Sequence, residues 1–307
     1  MSTRHRYPQD RGLTARMFLT GLLLVVVYAV FITVLFKVGT SIVAVVVIAG
    51  LLLFAQYFFS DKIALFAMRG REVSREEAPL LHGIIDRLCA LADMPKPRVA
   101  MATSDMPNAF ATGRSPATAV VCATTGIMRR LDEAELEAVL AHELSHVAHR
   151  DVVVMTVASF LGMLAGLITR IALYAGMFGG FGGDNDREGD SGTAVTLAVV
   201  AVSAIVYAIS FLLTRALSRY RELSADRSAA VLTGRPSTLA SALVKVSGEI
   251  ARIPSRDLRS AEPFNAFFFA PALAGGFSFS SLFSTHPTLE RRLAQLSRIE
   301  AELGRQA

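Results

Sequence analysis

Apolar and polar positions follow three rhythms along this 307-residue chain. The first is unbroken apolarity. Met17 to Phe36 carries no charge and is long enough to cross a bilayer as a helix, and Val38 to Ser60 is a second such run. Only Lys37 to Thr40 offers a turn between them, so the pair predicts a helical hairpin. Ser191 to Thr214 is a third uncharged run of spanning length, and Val152 to Thr169, closed by Arg170, is a shorter fourth. The N-terminal run is too long for a signal h-region, lacks a small-x-small cleavage site and leads into another span. It reads as a retained span.

The second rhythm is the helical period. Ser74 to Glu77 has capping-box spacing ahead of Leu80, Leu81, Ile84, Ile85 and Leu88, which predicts a helix closing near Pro95. Asp132 and Glu135 have the same spacing ahead of Leu136, Val139, Leu140 and Val147, which predicts a second amphipathic helix. Arg215 to Leu232 reads as a polar helix stopped by Gly234 and Pro236, and Ser237 to Ile250 as an amphipathic one. The third rhythm is short and β-like: Pro97 to Ala102, Ala109 to Thr112 and Thr118 to Thr124, separated by Pro107, Gly113 and Pro116. The phenylalanine-rich stretch 263–283 reads as a loop packed on a core, with an apolar flap as the alternative.

Composition agrees with a chain partly in lipid. Hydrophobic residues make up 52% of it, too many for an ordinary soluble domain of this size. Arg4, Arg6, Arg11 and Arg16 precede the first run. Lys62, Arg69, Arg71 and Arg75 follow the second, and Arg215, Arg219 and Arg221 follow the third. The loop Gly179 to Asp190 is instead glycine-rich and net acidic. The positive-inside rule puts the basic segments and both termini in the cytoplasm and the acidic loop outside. The net charge of +5 is distributed around apolar spans and not along one stripe, so no nucleic acid is expected; anionic lipid headgroups fit better. Cys89 and Cys122 have neither CxxC nor zinc-finger spacing and imply no disulfide framework.

The second capped helix carries His142-Glu143-Leu144-Ser145-His146. Histidines four apart lie on one helical face, so both imidazoles can reach one ion. The glutamate beside the first sits where it can deprotonate a water. This is the HExxH arrangement of zinc peptidases. A catalytic zinc needs a third ligand. The metzincin pattern would place Gly at 149 and His at 152, where the chain has His149 and Val152. His149 reads as an interfacial residue. No glutamate lies between Asp151 and Asn185, and Glu188 falls in the loop expected outside. The next is Glu222, with Asp226 on the same helical face. Glu222 can bind the ion while Asp226 accepts the free ring N–H of a ligand histidine. Pairing of both with Arg219, Arg221 or Arg227 on a solvated face is the alternative.

HExxH followed by an apolar hairpin and then Glu222 within Glu-Leu-Ser-Ala-Asp resembles the HtpX heat-shock membrane proteases, relatives of the CAAX prenyl endopeptidases. Asn108 to Gly113 and Ser284 to Arg292 match the same family. The resemblance spans nearly the whole chain. It implies a gluzincin-like metalloprotease holding one Zn2+ per chain on His142, His146 and Glu222, with Glu143 as catalytic base and Asp226 behind the ligands. It implies that Asn108 to Ala111 form an edge strand that pairs with substrate, with Asn108, Ala109 and Phe110 as substrate residues. It also implies that His286 and Arg292 face the oxyanion; on the residues alone, a capping or core histidine fits His286 equally well.

The expected fold class is thus a membrane protein, mainly α with a small β-sheet, carrying about four transmembrane or membrane-inserted helices. The expected parts are a basic cytoplasmic tail (1–16), a transmembrane hairpin (17–60), a first protease part (61–151), a membrane-inserted hairpin (152–214) and a second protease part (215–307). The expected setting is the bacterial plasma membrane, multi-pass, with the protease domain cytoplasmic. Its partners are the bilayer and membrane-associated, misfolded or damaged protein substrates. The sequence assigns no oligomeric state. A CAAX-type protease, another site-specific membrane protease and an inactive membrane scaffold are the alternatives.

Overall fold

In the computed structural model, residues 10–37, 57–150, 189–251 and 286–305 are described, with isolated positions between 47 and 55 and at 166. The apolar runs at 38–60 and 152–169 lie mostly outside these residues, and the stretch 263–283 wholly so. In chain order the elements are α1 (Arg11–Lys37), α2 (Ser60–Ala67), β1 (Gly70–Glu72), α3 (Pro79–Ala92), β2 (Arg98–Ala102), β3 (Ala109–Thr112), β4 (Val120–Thr124), α4 (Thr125–Arg130), α5 (Glu133–Ala148), α6 (Gly189–Thr233), α7 (Pro236–Ala251) and α8 (Leu289–Gly304). The described fold is mainly helical with one small sheet, as the patterning predicts.

Contacts divide the chain into two units: residues 1–14, 58–153 and 215–307 form one, and residues 15–57 and 154–214 the other. In the first unit the strands run in the order β1-β2-β4-β3. β2 and β4 are parallel, and the outer pairs are antiparallel. Strand alternation sorts the side chains. Val99, Ala109, Val121 and Ala123 face a core with Leu81, Ile85 and Leu88 of α3, Leu136, Leu140 and Leu144 of α5, and Leu243 and Val246 of α7. Ala100, Ala102, Phe110, Val120 and Cys122 pack on the other face around Ala64 of α2. With both faces covered, β4 is buried at every position, hence its unbroken apolar sequence.

Two local differences from the sequence reading have physical causes. Ser74 and Glu77 do exchange capping bonds (Ser74 N–H to Glu77 at 2.9 Å, Glu77 N–H to Ser74 Oγ at 3.4 Å), but they close a separate turn. The helix starts at Pro79, because the proline forces Ala78 out of the helical region, to φ −139° and ψ 63°. The polar helix at 215–232 is not a separate element. It continues the third apolar run as one 45-residue helix, since Arg215 offers no break between them.

In the second unit, Leu24, Tyr28 and Phe31 of α1 pack with Val199 and Val206 of α6, and Ser210 Oγ lies 3.4 Å from the Tyr28 hydroxyl. Away from that seam the apolar residues are open: Phe18 is 74% exposed and Leu197 63%. Continuous exposed apolar surface of this kind belongs in lipid, not water. Among the described residues, two stretches, Arg11–Thr33 and Leu197–Thr233, are long and apolar enough to cross a membrane.

Candidate metal centre

The site begins with the way α5 is held. Asp132 accepts the Glu135 N–H at 2.9 Å, and Glu135 accepts the Asp132 N–H at 3.1 Å, completing the capping box. The other oxygen of Glu135 takes the Ser241 hydroxyl at 2.7 Å and the Lys245 ammonium at 2.6 Å, which fixes the start of α5 on α7. From Leu136 onward most of α5 is buried, so its rotation is set by packing on both sides of the helix.

That rotation stacks His142 and His146 with their Nε2 atoms 3.3 Å apart and the rings edge to face at 88°. Glu222, on α6, completes a triangle: its carboxylate lies 3.5 Å from His142 Nε2 and 3.6 Å from His146 Nε2. Ligands at zinc distances of roughly 2.0–2.2 Å in a tetrahedron are separated by about 3.3–3.6 Å. The three side chains are buried and therefore already stand at the spacing one ion requires. Among the described residues this is the one group of His, Cys, Asp or Glu with that geometry.

The surrounding charges are arranged for a cation. Burial opposes protonation of His142, but hydrogen bonds to Asp226 and Glu222 outweigh it and push its pKa up to about 9. His142 is thus one of the residues that would hold a divalent cation, which would take the place of that proton. Burial alone would raise the Glu222 carboxyl, yet His286, His142 and His146 hold it well below the ordinary value. Asp226 lies behind the ligands, with Oδ1 3.0 Å from His142 Nδ1. Its two oxygens also receive Arg292 Nε at 2.7 Å and Nη2 at 2.6 Å. Arg292 is 2% exposed, and both of those guanidinium arms are turned to Asp226. His286 stands just ahead of α8, with Nδ1 3.0 Å from Glu222.

Glu143 is buried on the side of α5 that meets β3, and it accepts a hydrogen bond from the Ala111 backbone N–H. β3 is an edge strand of the sheet. Asn108 turns its backbone toward β4, donating to Thr124 Oγ1 and accepting the Thr124 N–H, both at 2.9 Å. Alternation then turns the amides of Ala109 and Ala111 to the open edge, where Ala111 meets Glu143. The Phe110 side chain is in the core and alternation turns its backbone to β4, so neither Phe110 nor the Asn108 backbone offers a hydrogen-bonding group to the open edge.

The sequence reading has Ala111 in the edge strand but does not foresee its bond to Glu143. It weighs Arg221 only as a solvated partner of Glu222 or Asp226, whereas its guanidinium lies 3.4 Å from His146 Nδ1.

The family model for "Peptidase family M48" matches residues 75–300. The chain belongs to peptidase family M48. Among M48 relatives it is 61% identical to "Protease HtpX homolog 1" of Streptomyces coelicolor, over 97% of this chain and 96% of that one. It is 55% identical to "Protease HtpX homolog" of Moorella thermoacetica, over 98% of both, and 40% identical to a Pyrococcus furiosus homolog of the same name over 94% of each. The solved structure of S. mikatae Ste24p shares the fold, with a TM-score of 0.52 at 18% identity, covering 94% of this chain and 66% of that one. M48 membership and the exposed apolar helices make this a membrane metalloprotease.

Proposed function

We propose that this chain is a zinc-dependent endopeptidase that cleaves misfolded or damaged membrane and cytosolic proteins at the cytoplasmic face of the plasma membrane. The observation that carries the reading is the His142–His146–Glu222 triangle at zinc spacing, with Glu143 one residue along the same helix. His142, His146 and Glu222 would hold the Zn2+, which would supply Lewis acidity toward water and a carbonyl. Glu143 takes the proton of the attacking water and passes it to the leaving amine. The substrate pairs with the open edge of β3 as an added strand through the Ala109 backbone and the Ala111 carbonyl, which presents its scissile carbonyl beside Glu143. His286 donates to the developing oxyanion. Arg292 serves behind the site by holding Asp226, which keeps the His142 ring turned with Nδ1–H inward.

The reading also places four apolar segments in or across the bilayer and both termini in the cytoplasm, supported by the distribution of arginines around the runs. The identities to HtpX homologs support the HtpX resemblance, and with it the damaged-protein role that resemblance implies, over a CAAX-type prenyl protease; cleavage of unfolded against prenylated chains separates the two. An inactive scaffold would have no use for a buried base beside a complete ligand set. A phenanthroline-type chelator is expected to stop cleavage of unfolded casein by the purified, detergent-solubilised chain, and added Zn2+ to restore it. Undiminished cleavage after the metal is stripped would end the reading.

A further inference from the structure

The face of α6 opposite the metal ligands is gripped by a residue from the far end of the sequence. Asp10 caps α1, accepting the Leu13 N–H at 2.8 Å with Oδ1. Its other oxygen, Oδ2, accepts the Ser224 hydroxyl at 2.6 Å, and the Tyr220 hydroxyl lies 3.5 Å from Oδ1. The approach is close: a Cβ on Gly12 would stand 2.6 Å from the Tyr220 hydroxyl oxygen. Leu13 is 2% exposed and Ser224 5%, so the junction is packed.

Positions two apart on a helix point about 200° away from each other, whereas positions four apart share a face. Tyr220 and Ser224 therefore form one face of this turn, and Glu222 and Asp226 the other. His142 and Arg292 hold the second face; Asp10 holds the first. A helix held on one face only can roll about its axis, and a roll moves the Glu222 carboxylate off the triangle.

We propose that Asp10 is a positioning residue for the metal centre: by clasping Ser224 and Tyr220 it fixes the rotation of α6 that aims Glu222 at the ion. The inference rests on the zinc-peptidase reading. It also gives the first turn of α1 a role beyond membrane anchoring, since the capped helix start becomes part of the frame of the active site.

The test uses the full-length chain in detergent, measuring the Zn2+ dissociation constant by chelator competition, kcat and KM on unfolded casein, and Tm. Asp10→Ala is expected to weaken zinc about tenfold, the low end for loss of an outer-shell support, and to lower kcat with little change in KM. Asp10→Ser separates the two jobs of the carboxylate, because a serine caps the helix but is too short to reach Ser224. It is expected to lose zinc affinity like Asp10→Ala while keeping more of the wild-type Tm. Ser224→Ala is expected to show the same loss, and the double variant no more than either single one. Wild-type zinc affinity in Asp10→Ser, or losses from Asp10→Ala and Ser224→Ala that add, would reduce Asp10 to a helix cap and overturn the proposal. A wild-type chain that neither binds zinc nor cleaves casein would instead defeat the peptidase reading itself.

Discussion

Glu143→Gln is expected to lower kcat by about 10²–10⁴-fold, the usual worth of a positioned general base, while zinc content stays at the wild-type level. Glutamine keeps the size of the side chain and an oxygen for the Ala111 N–H, but it cannot take a proton from water. Because Glu143 is not one of the three ligands, the triangle is untouched. Removing a buried charge also spares the fold a desolvation cost, so Tm is expected to be no lower than wild type. Burial raises the Glu143 pKa above the ordinary carboxylate value, and nearby His142, His146 and the Ala111 N–H offset part of that rise. The active form is the carboxylate, so activity is lost on the acid side as Glu143 is protonated, which gives the pH–rate profile an acid limb. Residual cleavage by Glu143→Gln is expected to lack that limb.

Asp226→Asn is expected to destabilise the protease unit by about 3–5 kcal/mol, the cost of removing one partner from a buried ion pair. Asp226 is fully buried and Arg292 nearly so; with the carboxylate neutralised, the guanidinium loses the partner that meets two of its nitrogens. Whole-domain stabilities are about 5–15 kcal/mol, so the loss should be plain in a denaturant titration. The same substitution removes the charge facing His142 Nδ1 and is expected to weaken zinc about 10–100-fold. Burial works to raise the Asp226 pKa, but Arg292 and His142 outweigh it and set it below 3.8. The stabilisation is therefore complete above 3.8 and is lost as pH falls through the lower folded value. Stability of Asp226→Asn within about 1 kcal/mol of wild type at pH 7 would show that the pair does not hold the site together.

Much of the fold and part of the site are legible in the chain because their causes are local. The capping box at Asp132 and Glu135, the helical spacing behind it and the two histidines belong to one helix, so short-range periodicity suffices. β3 is bounded by Pro107 and Gly113, and its predicted limits are those observed. Glu222 emerges from the sequence only because acidic residues are so scarce across the apolar segments. What the chain hides depends on partners distant in sequence. β1 is three polar-flanked residues, too short to show alternation, and exists because Arg71 and its neighbours meet β2. Nothing near Arg292 indicates that its guanidinium turns to Asp226, 66 positions away. Likewise, Asp10 in a basic tail carries no mark of its bond to Ser224, 214 positions on.

The most direct measurement is the zinc content per chain of the purified wild type set beside Glu222→Ala, with casein cleavage followed in the same samples. His142, His146 and Glu222 together predict one zinc per wild-type chain; in Glu222→Ala both zinc and cleavage are expected to fall to background while α5 keeps its helicity. Wild-type zinc content in Glu222→Ala, or an active wild type without metal, would contradict a centre built on these three residues.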